Sequence, residues 1–132
     1  MYLVDTNVWL ERLLDQARSA EVGAFLDRIP SNQLFITDFA FHSIGVVLNR
    51  LNRLEALAHF VQDTFVDGDV TIVHLEPEDT DGVINAIKRF NLDFDDAYHY
   101  AATGKHSLTL VSFDSDFDQT DLERKTPAEI AP

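Results

Sequence analysis

Apolar positions along this chain alternate between two spacings. Tyr2 to Val4, Leu34 to Thr37, Val70 to Leu75 and Leu108 to Phe113 are short, nearly continuous, β-prone runs of the kind found in strands buried on both faces. Between them the apolar residues recur three and four apart, the spacing of one helix face. Val8, Leu10, Leu13, Leu14 and Ala17 predict a helix over 7–18. Ser19 reads as the N-cap of a second helix (Val22, Phe25, Leu26, Ile29), which Pro30 stops. Ser31-Asn32-Gln33 is a turn, and Asp38 starts a helix that runs to about Leu51. Leu57, Ala58, Phe60, Val61 and Phe65 predict a helix over 54–66, closed by the turn Asp67-Gly68-Asp69. Glu76-Pro77-Glu78-Asp79 opens another through Val83, Ile84, Ile87 and Phe90, and Asp95-Asp96-Ala97 begins one that ends near Gly104-Lys105-His106.

Strand-then-helix units repeated in this way point to an α/β fold, a parallel sheet with helices on both faces. The tail from Arg124 to Pro132 is polar and either docks as a short edge strand or lies loose. The helix starting at Asp38 is unusually apolar. Ala40, Ile44, Val47, Leu48 and Leu51 form one stripe while Phe39, Phe41 and Val46 lie off it, which suggests a protein interface.

Composition narrows the class. The 132 residues fit a single domain, 1–132, and 45% hydrophobic residues with ten Phe argue for a packed core. Without cysteine there is no disulfide framework, thiolate metal site or cysteine nucleophile. No basic leader precedes the first strand, and no apolar run approaches the roughly 20 residues that span a bilayer, so a cytoplasmic protein without membrane contact is expected. The net charge of −13 repels phosphate polymers at long range and argues against a plain nucleic-acid binder. A polyanionic substrate would need cations as mediators.

The acids that matter sit at strand ends. Asp5 follows the first strand, Asp114 follows the last, and Asp95-Asp96 open the helix between. In a parallel sheet the carboxyl ends of adjacent strands share one rim, where α/β proteins bind ligands. Aspartates gathered there repel each other unless a cation neutralises them, and hard oxygen ligands suit Mg²⁺ or Mn²⁺. Such an ion lowers the pKa of bound water and offsets charge developing on a phosphodiester, which favours phosphodiester hydrolysis. Capping of free helix N–H groups is the competing explanation. It is the better one for Asp95, and for Asp5 the two are level until its partners are counted. Among Asp114, Asp116 and Asp118, one or two are expected to be no more than an acidic turn.

Taken together, Leu-Val-Asp5-Thr-Asn7, Leu-Asp-Phe-Asp95-Asp96-Ala and Val-Ser112-Phe-Asp114-Ser-Asp116-Phe resemble the PIN-domain family, including the toxin ribonucleases of VapBC toxin–antitoxin systems. The resemblance spans nearly the whole chain. It implies a three-layer α/β/α sandwich on a parallel sheet of four or five strands, with an acidic pocket that binds Mg²⁺ or Mn²⁺ and cleaves RNA. By motif match Asp5, Asp96 and Asp114 are the catalytic, metal-binding acids, Asp116 is a further ligand, and Asn7 and Ser112 line the pocket. The partners implied are RNA, an antitoxin protein and a second copy in a homodimer.

One departure stands out. The family usually carries Glu on the helix after the second strand, and here Ser43 falls at or beside that place with His42 next to it. Both are expected to line the pocket. Losing a carboxylate weakens metal binding, and Asp38, Asp118 or His42 is available to compensate. His59, His74, His99 and His106 lack a zinc-like spacing and read as structural or exposed. Asn49-Arg50-Leu51-Asn52-Arg53 is the densest polar-basic stretch, a helix end or an RNA-backbone contact. A PIN-fold module that binds protein with weak or lost nuclease activity is the alternative. A receiver or a haloacid-dehalogenase-like phosphatase fits worse, because those folds want paired acids or Asp-x-Asp after strand one.

Overall fold

The computed structural model describes residues 1–131, and Pro132, the end of the expected tail, lies outside them. Four short strands, β1 (Tyr2–Val4), β2 (Leu34–Thr37), β3 (Thr71–Val73) and β4 (Thr109–Val111), pair in parallel in the order β3-β2-β1-β4. The chain winds outward from β1 through β2 to β3, then returns to place β4 on the other side of β1. The order therefore reverses at β1, which makes the β1–β4 crevice the natural ligand position of such a sheet. Lys125 adds a single parallel bridge beyond β4 at Val111, so the expected fifth strand is one residue long.

Side chains alternate across the strands and feed two cores. Val4, Leu34, Ile36 and Val111 face one layer with Trp9, Phe25, Ile44, Leu48 and Phe60. Leu3, Leu110 and the half-buried Phe35 face the other, with Ala102 and Phe117. The first layer is built by α1 (Thr6–Leu13), α2 (Ser19–Arg28), α3 (Asp38–Arg50), α4 (Leu54–Val61) and the closing α7 (Pro127–Ile130). The second holds α5 (Thr80–Phe90) and α6 (Phe94–Lys105), packed on each other through Val83, Ala86, Leu92 and Ala97. The result is the three-layer α/β/α arrangement.

Several element ends differ from the periodicity, each for a local reason. The first helix stops at Leu13 rather than Arg18, because Asp15 turns left-handed at φ 50°. Ser19 lies inside α2 instead of capping it, and its hydroxyl accepts from Arg12 Nη1 at 3.2 Å. Asp93, not Asp95, caps α6: its carboxylate accepts from the Asp96 N–H at 3.2 Å. The start of α3 at Asp38 is as expected, with Thr37 as its cap, accepting from Ala40 N at 2.9 Å. After α4 the helix widens into a π turn over Gln62–Val66.

The off-stripe aromatics of α3 find partners within the chain. Phe41 packs edge-on against Phe65, and Phe39 lies against Tyr98 and His99. The tail docks as well: Ala128 N donates to Glu21 on α2, and Ala131 is buried in the first core.

Candidate active site

Asp5 sits one residue past β1, and its backbone N–H donates to Val111 O of β4 at 2.9 Å, which ties the two strand ends together. It is also the N-cap of α1, as the capping reading expects: Oδ1 accepts from Thr6 N at 2.8 Å. Oδ2 accepts from the Ser112 hydroxyl at 2.7 Å and from Asn7 Nδ2 at 3.3 Å. Ser112, fully buried, in turn accepts from the Asp114 N–H at 2.9 Å, and Asn7 Oδ1 accepts from Phe113 N at 3.2 Å. Asp5, Asn7 and Ser112 thus form a polar staple beneath the rim, and no buried side-chain polar atom among the described residues lacks a partner.

Above the staple lies a cleft of about 230 Å³ lined by Asp5, Asn7, Phe39, Ser43, Asp95, Asp96, His99 and Asp114, with Thr6 and Leu10 completing its wall. Asp96 projects from the first turn of α6. Asp114 caps a 3₁₀ turn over Ser115–Gln119, its Oδ1 accepting from Asp116 N at 2.9 Å. Carboxylate oxygens of Asp96, Asp114 and Asp116 all lie within 4.8 Å of one another. Burial, then the charges of Asp114, Asp93 and Asp5, push the Asp96 carboxyl up to about 8, and a hydrogen bond with Asp114 adds to the effect. A donor set of this kind could hold a hard divalent cation, whose charge would relieve the crowding.

The expected residues sort themselves by position. Asp5, Asp96 and Asp114 come together at the cleft, and Asp116 stands at its exposed lip. Asn7 reaches the cleft and Ser112 supports it from below. Ser43 lines the wall, but His42 is exposed and absent from the lining: one step along a helix turns a side chain by about 100°. Neither acid considered as a substitute reaches in. Asp38 accepts from the Tyr98 hydroxyl at 2.7 Å, and Asp118 pairs with Arg124 at 2.9 and 3.1 Å.

The residue that sequence reasoning set aside is His99. It is 2% exposed and lines the cleft, with Nε2 3.7 Å from Asp5 Oδ1 and 3.1 Å from Thr37 Oγ1. Its Nδ1 lies 2.9 Å from Asp95 O, a group that only accepts, so Nδ1 carries the proton and the Thr37 hydroxyl can donate to Nε2. The available signal was its spacing, three residues after Asp96 and hence on the same helix face.

The PIN domain family model matches residues 2–123 of the chain. The chain belongs to the PIN domain family. No curated protein matches this PIN domain significantly in sequence. Solved structures do. VapC20 of Mycobacterium tuberculosis, a sarcin-ricin loop cleaving toxin, superposes with a TM-score of 0.80 at 18% identity, covering 96% of this chain and 100% of that one. A toxin–antitoxin complex from Klebsiella pneumoniae gives 0.77 at 19% identity, covering 96% and 98%. FitAcB from Neisseria gonorrhoeae gives 0.75 at 22%, also covering 96% and 98%. At these identities the likeness establishes the fold. No helix among the described residues is long and apolar enough to cross a membrane.

Proposed function

We propose that this PIN domain is a divalent-metal-dependent endoribonuclease, a single catalytic domain over 1–132 acting in the cytoplasm as a homodimer, and the toxin of a toxin–antitoxin pair. The observation that carries the reading is the convergence of Asp96, Asp114 and Asp116 oxygens within 4.8 Å at the strand-order reversal. The neighbours described as toxins support the biological role at the level of family.

Asp96, Asp114 and Asp116 would hold Mg²⁺ or Mn²⁺, with Asp5 behind them. When bound, such an ion supplies a nucleophilic water at neutral pH and offsets the charge of the phosphodiester. The chain's own residues do the rest. Ser112 and Asn7 fix Oδ2 of Asp5 and the Thr6 N–H fixes Oδ1, so the carboxylate needs little reorganisation as charge develops. His99 and Phe39 wall one side of the cleft. With net charge −13, the domain depends on the ion to admit phosphate at all.

Asp96→Asn and Asp5→Asn are each expected to reduce metal-dependent cleavage of single-stranded RNA by at least about a hundredfold, and EDTA to abolish it. Cleavage that survives both substitutions would sink the reading. Ser43, where the family resemblance expects Glu, favours a second reading, a protein-binding module with weak nuclease activity. The two separate on metal: a functional site binds Mn²⁺ in the folded state and raises Tm, whereas the binding module does not.

A further inference from the structure

One end of the carboxylate cleft is walled by Phe39, and from there aromatic rings continue away from the acids. Phe39 lies 5.7 Å from Tyr98 with the planes at 33°, and Tyr98 lies 6.3 Å from Phe94 at 37°. His99 joins the inner end, 6.1 Å from Phe39. The row is held stiffly at its centre. The Tyr98 hydroxyl donates to Asp38 at 2.7 Å and accepts from Leu75 N at 3.0 Å. At the outer end Phe94, the first residue of α6 and two before Asp96, keeps 53% of its surface in water. Beside it opens a second hollow of about 220 Å³, lined by Phe94, Tyr98, Leu75, Pro77, Val83 and Glu76, with Thr80 closing its edge.

Resting on the ribonuclease reading above, we infer that this row is a nucleobase subsite: Phe94 and Tyr98 take, by stacking, a base flanking the scissile phosphate of a single-stranded RNA. Three features favour that occupant. The row is continuous with the acidic cleft through Phe39, so a strand whose phosphate lies among the aspartates runs its next nucleotide along it. Phe94, 53% exposed, and the partly exposed Tyr98 offer aromatic surface to an unpaired base at that end. The charged groups at its border, Asp38 and Glu76, repel phosphate, so an incoming strand turns its uncharged bases to the slot and its backbone outward. Stacking is tolerant of sequence and requires an unpaired base, which makes the substrate class single-stranded or looped RNA. Phe94 is then a positioning residue for substrate, not part of the reacting set.

The test uses a single-stranded 2′-O-methyl oligoribonucleotide carrying 2-aminopurine, with Mn²⁺, alongside a cleavable RNA of the same sequence. Wild-type protein should quench the 2-aminopurine at one or two positions. F94A should lose that quenching and raise Kd and KM about tenfold with kcat within about twofold. F94W should restore both and F94L neither, since leucine is apolar without a ring face; unchanged Tm would show that each variant folds. If F94A binds, quenches and cleaves like wild type while D96N abolishes cleavage, the subsite is wrong and the nuclease reading stands. If wild type neither binds nor cleaves RNA, or D96N changes nothing, the nuclease reading fails and takes the subsite with it. Loss of binding to a protein partner in F94A, with oligonucleotide binding intact, would also overturn the subsite.

Discussion

The carboxyl edge of the sheet has two halves, and they are built for different tasks. On the β1–β4 half, the residues that leave the strands are Asp5 and, two past the buried Ser112, Asp114. Both line the cleft; the Asp5 carboxylate is bound from behind by Ser112 and Asn7, and the Ser112 hydroxyl also accepts from the Asp114 backbone N–H. On the β2–β3 half, β2 ends at Thr37, whose hydroxyl caps α3 and meets His99, and β3 ends at Val73 before an exposed His74. That half offers no acid to the cleft: Ser43 stands on its wall and Asp38 is tied to Tyr98. The contrast teaches that one half carries charge and the other carries shape, through Thr37, His99 and the aromatic row.

The largest effect is expected from breaking the charged half at its staple. Ser112→Ala removes the donor to Asp5 Oδ2 and the acceptor for Asp114 N, leaving a buried carboxylate short of a charge-assisted bond. A loss of about 3 kcal/mol follows from one such bond plus an unsatisfied amide. Chemical denaturation should show it as a lower midpoint with unchanged m-value. RNA cleavage should fall as well, because Ser112 positions the Asp5 carboxylate.

The charged half was also the more legible in sequence. Asp5 and Asp114 declare themselves because a parallel sheet sends all its carboxyl ends to one rim, so residues after short apolar runs can be placed without knowing strand order. Asp96 needed only the start of a helix. The other half is opaque because its parts are ordinary. A threonine at a strand end and a histidine within a helix have many common roles, and the hydrogen bond between Thr37 and His99 spans 62 residues of sequence that no local periodicity relates. Caps failed for a related reason. Asp93, Asp95 and Asp96 all satisfy the composition of a first turn, and only the backbone at Asp93, extended at ψ 174°, decides which one caps. Strand order, which makes β1–β4 the crevice, had no local signal.

A smaller effect should follow from breaking the shaped half. Thr37→Val keeps volume and removes the hydroxyl, so α3 loses its N-cap and His99 Nε2 loses its partner inside the core. The two losses together cost about 2 kcal/mol. Thr37→Ser retains the hydroxyl and should recover most of it. Comparing Tm for the three proteins isolates the hydrogen bonds from the packing. Metal-induced stabilisation should survive Thr37→Val, since no carboxylate is touched, whereas Ser112→Ala should diminish it. Equal loss of the metal response in both variants would mean that the two halves are one unit.

The finest distinction is read through pH. Asp96 is pushed up to about 8 from an ordinary 3.8, so the folded protein binds a proton there that the unfolded chain has released. Between those values the native state holds more protons than the unfolded state, and stability of the metal-free protein therefore falls as pH rises. Asp93 is among the charges responsible, and it also caps α6. Asp93→Asn preserves the cap, because asparagine caps as well as aspartate, while removing one negative charge from the cluster. Thermal unfolding in EDTA should show Tm declining from pH 5 to pH 8 in wild type, a shallower decline in D93N, and none of this component in D96N. Mn²⁺ should reverse the trend, since an ion replaces the proton best when the carboxylates are ionised. A wild-type Tm that rises over that window without metal, and falls with it, would show that crowding of acids is not what distinguishes the charged half from the shaped one.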